Sequence, residues 1–105
     1  MNIGKMHNFG EVVLANVQFT DTFEIKKRPA LVLFEENGNI VVAGITSNIK
    51  REGISLTKQE GAIKNSIIRL NYIFTISENM IERVLFSISE VKKNIIKKEL
   101  INKLK

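Results

Sequence analysis

The sequence predicts a mainly β fold with helices, a small barrel or strongly bent sheet with a helix at the carboxyl end, and three observations carry that prediction. Short runs of aliphatic and β-branched residues recur with little chain between them. Glu36-Asn37-Gly38-Asn39 separates two of these runs, and Asn-Gly accepts the positive φ that a tight hairpin requires. From residue 90 to residue 104 there is neither Gly nor Pro, and the period of the apolar residues changes to that of a helix.

The elements follow in chain order. Residues 11–19 hold Val12, Val13, Leu14 and Val17 between Gly10 and the polar Thr20-Asp21-Thr22, and read as a strand entering a loop. Pro29 opens a second strand over residues 30–34, and the Asn-Gly turn sets a third, residues 40–46, antiparallel to it. Residues 54–57, 66–70 and 72–76 read as further short strands, with Gly53 and Gly61 punctuating the connections. Residues 79–86 read as a short helix and residues 90–104 as the terminal one, with Ser87 or Ser89 as its N-cap. The terminal helix carries Val91 and Ile95 on one side and Ile96, Leu100 and Leu104 on another. One face should cover the sheet, and the Ile96 stripe is expected to be spare for a second copy of the chain.

The 105 residues make one domain, 1–105. A hydrophobic fraction of 44% with one Pro and six Gly is globular, so disordered and collagen-like readings fall away. The lack of Cys removes disulfide scaffolds, Cys-based zinc sites and thiol nucleophiles together. No apolar run has the length of a signal peptide or a membrane span, so a soluble, cytoplasmic protein without membrane association is expected. The formal charge of +5 is concentrated: residues 1–90 are balanced at ten cations and ten anions, whereas residues 91–105 hold six Lys against Glu99. A Lys-rich terminal helix is ordinarily a solvated face that complements the helix dipole.

Much chemistry is excluded. His7 is the single imidazole, so paired-histidine acid/base catalysis is not available, and a solvated role is expected for it. Asp21 is the one Asp and the ten Glu are scattered, which does not suit a two-metal nuclease. Gly-rich phosphate loops do not occur. Neither a metal nor an organic cofactor is expected.

What remains is Lys26-Lys27-Arg28-Pro29 at the entry to the second strand. Proline pushes the residue before it to extended backbone, so Arg28 projects from a defined place. Its planar fork suits a phosphate. The hairpin brings Thr46, at the end of the third strand, to the same end of the sheet as Arg28. Ser47, Asn48, Lys50 and Arg51 add polar and basic groups to that rim.

With these residues in place the sequence resembles the MazF/PemK family of toxin endoribonucleases. The matching stretches are Gly10-Glu11-Val12-Val13-Leu14, Phe19-Thr20-Asp21, Lys27-Arg28-Pro29-Ala30-Leu31-Val32-Leu33, Val41-Val42-Ala43-Gly44-Ile45-Thr46-Ser47, Asn65-Ser66-Ile67-Ile68-Arg69, Ile73-Phe74-Thr75-Ile76 and Ser89-Glu90, in family order. The resemblance implies an SH3-like small barrel of the MazF, CcdB and Kid type, a homodimer with single-stranded RNA (mRNA) in the groove between subunits, and a cognate antitoxin as partner. It implies metal-independent cleavage in which the RNA's own 2′-hydroxyl attacks the adjacent phosphate. Arg28 matches the family's catalytic arginine and Thr46 its catalytic threonine. Thr20, Lys26, Lys27, Ser47, Asn48, Lys50, Arg51 and Arg69 are the expected RNA contacts. The chain departs from the pattern at Asn65, Asn71, Tyr72, Phe74 and Ser77, where a glutamine, an arginine and carboxylates are usual, and at Gly44, where proline is common. Tyr72 and Phe74 are expected in the barrel core rather than as base-stacking groups. The alternatives are a non-catalytic RNA- or protein-binding module of the same fold and a CcdB-like topoisomerase poison.

Overall fold

The computed structural model describes residues 6–18 and 25–105. Its strands are β1 (Glu11–Gln18), β2 (Ile25–Glu36), β3 (Asn39–Thr46), β4 (Ile54–Leu56), β5 (Ser66–Ser77) and β6 (Ile81–Ser87), followed by helix α1 (Glu90–Lys103). They form one six-stranded antiparallel sheet in the order β4-β5-β3-β2-β1-β6. Register shifts interrupt the β2–β3, β3–β5 and β1–β6 ladders. Each such bulge adds bend and twist, and the sheet curls into a half-barrel with α1 packed on one face. The mainly β barrel-like fold with one terminal helix is therefore as the sequence predicts.

Alternation along the strands builds two cores. Val12, Leu31, Ala43, Ile45, Leu56 and Ile68 face the helix, where Ile88 and Ile96 join them. Val13, Ala15, Ala30, Val32, Ile40, Val42 and Ile76 form the core of the opposite face. The hairpin turn is as predicted, with Asn37 and Gly38 both at positive φ.

Four expectations are corrected. Residues 79–86 are not a helix: a 3-10 turn, Glu78–Met80, leads into β6, which pairs along β1. Two register shifts in that pairing break the period of two, so Ile81, Val84 and Leu85 mimic helical spacing in a strand. Residues 66–70 and 72–76 are one strand, β5, whose pairing with β3 steps from Ala43–Ile73 to Gly44–Arg69. The residues between, 70–72, take up a bend. On α1, Ile96 is fully buried and Leu100 packs on the helix-side core, while Val91, Ile95, Ile101 and Leu104 are exposed. Ile96 and Leu100 of that stripe are thus the core contact rather than a spare surface, and only Leu104 at its end is exposed. His7 is not solvated either: its Nδ1 lies 2.9 Å from Glu11 Oε1, and its backbone N–H donates to Glu35 Oε1 at 2.8 Å.

The terminal lysines are also less uniform than a solvated face. Ser89 caps α1, its hydroxyl accepting from the Lys92 N–H at 3.1 Å. Lys92 Nζ donates to the Ser55 carbonyl at 2.6 Å and reaches Glu60 Oε2 at 3.2 Å, tying the helix to β4 and to the 3-10 turn Lys58–Glu60. Lys97 lies over the Phe9 ring, 5.7 Å from its centroid. The stem of Lys93 crosses Gly10, where any Cβ would meet Lys93 Cε and where φ is +99°. The positive φ is what favours glycine there, since the flexible end of Lys93 could move aside. Among the described residues no helix is long and apolar enough to cross a membrane.

Glu60 makes the helix attachment sensitive to pH. Burial raises its carboxyl pKa, but the Thr57 N–H, Lys92 and the Thr57 hydroxyl together outweigh burial and hold it below 4.5. A carboxylate whose pKa is depressed by folding contributes stability above the unfolded value, and that contribution is lost as pH falls through the folded value. Thermal melts should show the wild type losing stability as pH drops below about 4.5, and Glu60→Gln should be less stable at neutral pH with a shallower acid slope. An unchanged acid slope in that variant would show that Glu60 is not the linked group.

Candidate active site

β2 begins at Ile25, so Lys26, Lys27 and Arg28 lie inside a strand and not at a loop junction as the sequence suggested. This half of β2 pairs with β1, Ala15 standing opposite Arg28 and Leu14 opposite Pro29. On its other side the ladder to β3 stops at Ala30–Gly44. Pro29 has no N–H to extend it, which is where proline is tolerated in a sheet.

The bulge in the hairpin decides which hydroxyl Arg28 meets. Near the turn the register pairs Glu36 with Asn39, and carried down the strands it would set Ser47 opposite Arg28. The shift between Val32 and Phe34 changes it to Ala30–Gly44, and carried two residues past the end of the ladder this register sets Thr46, not Ser47, opposite Arg28. A slip of one residue exchanges the two faces of a strand. The bulge therefore puts Thr46, rather than Ser47, on the face of Arg28.

Arg28 and Thr46 line one cleft of about 210 Å³, together with Val17, Pro29, Gly44, Ile45, Arg69, Tyr72 and Phe74. Among the residues that line it are two arginines and the hydroxyl-bearing Thr46 and Tyr72, and no carboxylate of the described residues lines it. Such a cleft favours an anion, and the planar fork of arginine favours phosphate. The Thr46 hydroxyl accepts from the Asn48 N–H at 3.1 Å, and Asn48 Oδ1 accepts from the Lys50 N–H at 3.2 Å. The Arg51 N–H donates to the Asn48 carbonyl at 3.1 Å. These bonds hold residues 46–51 as a compact turn and leave the Thr46 O–H to donate.

Ser47 and Lys27 line a different cleft of about 270 Å³, on the helix side of the sheet, with an apolar floor that includes Val12, Leu56 and Phe86. Arg28 and Pro29 border both clefts. Lys27 also pairs with Glu82 at 2.9 Å across an exposed surface, an interaction worth little on its own. Lys26, Asn48, Lys50 and Arg51 line neither cleft, and Asn48 serves instead to fix Thr46. Thr20 lies outside the described residues. Thus Arg28, Thr46 and Arg69 are brought together and the rest of the expected contacts are dispersed around them. Among the described residues no group of three or more His, Asp or Glu converges.

Two cleft residues escape the sequence reading. Tyr72 is 44% exposed and Phe74 is partly buried, its side chain packed on the core opposite the helix. Core placement thus describes Phe74 in part and is wrong for Tyr72, because the bend at residues 70–72 turns its ring over Gly44. A Cβ at Gly44 would sit 2.6 Å from Tyr72 Cδ2. Gly44 is the only signal in the sequence, and it has meaning only once the register is known. Asn65, another departure from the family pattern, is structural: its Oδ1 accepts from the Lys58 N–H at 3.0 Å.

A family model described as PemK-like, MazF-like toxin of type II toxin-antitoxin system matches residues 8–104. Among solved structures, the Mycobacterium tuberculosis toxin MazF-mt6 superposes with a TM-score of 0.73 at 19% identity, over 88% of this chain and 93% of that one. An endoribonuclease in complex with its cognate antitoxin from Mycobacterial species superposes with a TM-score of 0.75 at 12% identity, over 96% and 95% of the two chains. At these identities the likeness is one of fold. No curated protein matches the sequence.

Proposed function

The chain belongs to the PemK-like, MazF-like family of type II toxin-antitoxin toxins, and from that premise we propose that it is a toxin endoribonuclease, cutting single-stranded RNA without a metal at Arg28 and Thr46. The observation that carries this reading is the cleft in which two arginines converge with the hydroxyl of Thr46, whose oxygen is fixed by the Asn48 N–H. The RNA's 2′-oxygen bonds to the adjacent phosphorus as the bond to the 5′-oxygen breaks. The 2′-hydroxyl proton is balanced by the one gained at the departing oxygen, giving a cyclic phosphate and a 5′-hydroxyl. Arg28 takes the non-bridging oxygens on its fork, where negative charge builds as phosphorus becomes five-coordinate. Thr46, its oxygen fixed by the Asn48 N–H, donates to the phosphate. The substrate supplies the nucleophile, so the site needs no histidine. His7 is bound to Glu11 and Glu35, and Glu35 is seven residues along β2 from Arg28, about 20 Å of strand.

The reading includes a second copy of the chain to complete the RNA groove and a cognate antitoxin. The structural likeness to an endoribonuclease-antitoxin complex supports the antitoxin, and the second copy rests on the family resemblance alone, since the Ile96 end of the stripe is buried. Thr46 provides the test. In excess EDTA, Thr46→Ser should retain part of the single-turnover cleavage rate on a long single-stranded RNA, whereas Thr46→Ala should lose it by on the order of tenfold to a hundredfold. Equal rates for the two variants would deny the hydroxyl a role. Absence of wild-type cleavage across varied RNA sequences would favour a non-catalytic module of the same fold.

A further inference from the structure

The geometry points to Tyr72, together with Arg69, as a nucleobase-stacking platform at the edge of the phosphate cleft, an inference that rests on reading that cleft as an RNA site. The ring is 44% exposed although the chain has core in which to hide it. It lies close over β3 at Gly44, where an alanine would place its Cβ 2.6 Å from Cδ2 and 3.1 Å from Cε2. Phe74 buttresses it from the side, with ring centroids 5.0 Å apart and planes inclined by 38°. Arg69 Cζ lies over the Tyr72 ring, 5.5 Å from its centroid, so a cation already sits where a base would stack, and an arriving base displaces the guanidinium from the ring. Nucleobases stack on aromatic rings and on guanidinium planes alike.

Position completes the argument. Arg28, Thr46, Arg69 and Tyr72 line the same cleft of about 210 Å³, smaller than a drug-sized pocket of about 300 Å³ or more. A phosphate between Arg28 and Thr46 leaves room beside it for one base, and Tyr72 is the surface that this base meets. Stacking of this kind tolerates any base, so the platform holds the strand and positions its phosphate rather than reading its sequence.

The chain contains one Tyr and no Trp, so tyrosine-specific labelling gives NMR signals from this ring alone. The probe is a 2′-O-methylated single-stranded oligonucleotide of mixed sequence, which binds without offering a nucleophile. Saturation should move the Tyr72 ring-proton resonances upfield. Tyr72→Leu, which keeps apolar bulk over Gly44 and removes the π face, should weaken binding between about fivefold and about 150-fold, and Tyr72→Phe should bind as the wild type does. A ring that does not respond to saturating oligonucleotide, or a folded Tyr72→Leu variant that binds as well as or better than the wild type, would overturn the platform. Should Tyr72→Leu fail to fold, the wild-type ring signal still decides. RNA cleavage with a silent ring would remove the platform and leave the endoribonuclease reading intact. A shifted ring without cleavage would do the reverse.

Discussion

Arg28→Ala is expected to lower the rate of RNA cleavage by roughly a hundredfold or more in a protein that still folds. The side chain is exposed, so its loss removes no packing, whereas the backbone that aims it is fixed by pairing with Ala15 and by Pro29 beside it. What is lost is a donor positioned in advance at the phosphate. Arg28→Lys should fail almost as badly, because an ammonium group is a compact charge and cannot present two parallel donors to two phosphate oxygens. If the lysine variant retained most of the rate, charge alone would suffice and the bidentate geometry would be dispensable. Single-turnover rates at saturating enzyme distinguish these outcomes from weakened binding.

Ile96→Ala should destabilise the fold by about 2 to 5 kcal/mol, the usual cost of opening a cavity of that size in a tight core. Ile96 is fully buried among Leu31, Ile45, Leu56 and Ile68, and it is the residue that anchors α1 to the curled sheet. A loss of this size lowers the melting temperature by about 8 °C or more in a chain this small. Leu104→Ala, at a side chain 86% exposed, should change stability by less than about 0.5 kcal/mol. Both variants are read from chemical denaturation. A silent Ile96→Ala would mean that the helix is not seated on the sheet by this face.

The parts of the fold that depend on local chemistry were legible in the sequence. Asn37-Gly38 encodes its own turn, Ser89 encodes a cap, and a hairpin of known ends brings Arg28 towards Thr46. The parts that depend on distant partners were not. β6 is a strand because β1 offers it an edge, and its bulges hide the alternation that would have announced it. The two apolar groups of α1 have equivalent helical spacing, so only the sheet can say that Ile96 and Leu100 turn inward. Tyr72 lies beside Phe74 in a pattern that reads as core, and a bend at residues 70–72 is what lifts its ring into the cleft. His7 finds Glu11 one helical-looking step away and Glu35 across 28 residues, and the second of these contacts has no sequence signal at all. That the cleft with Arg28 and Arg69 takes Thr46 rather than Ser47 likewise rests on the bulge between Val32 and Phe34, a feature that no count from the turn reveals.

End-group analysis of the products of wild-type and Arg28→Ala protein, on a long single-stranded RNA in excess EDTA, decides whether Arg28 drives cleavage by the RNA's own 2′-hydroxyl. The wild type should leave a 2′,3′-cyclic phosphate on the upstream fragment and a 5′-hydroxyl on the downstream one, and Arg28→Ala should leave almost no product in the same time. Fragments ending in a 3′-hydroxyl and a 5′-phosphate, or cleavage that survives Arg28→Ala undiminished, would contradict it.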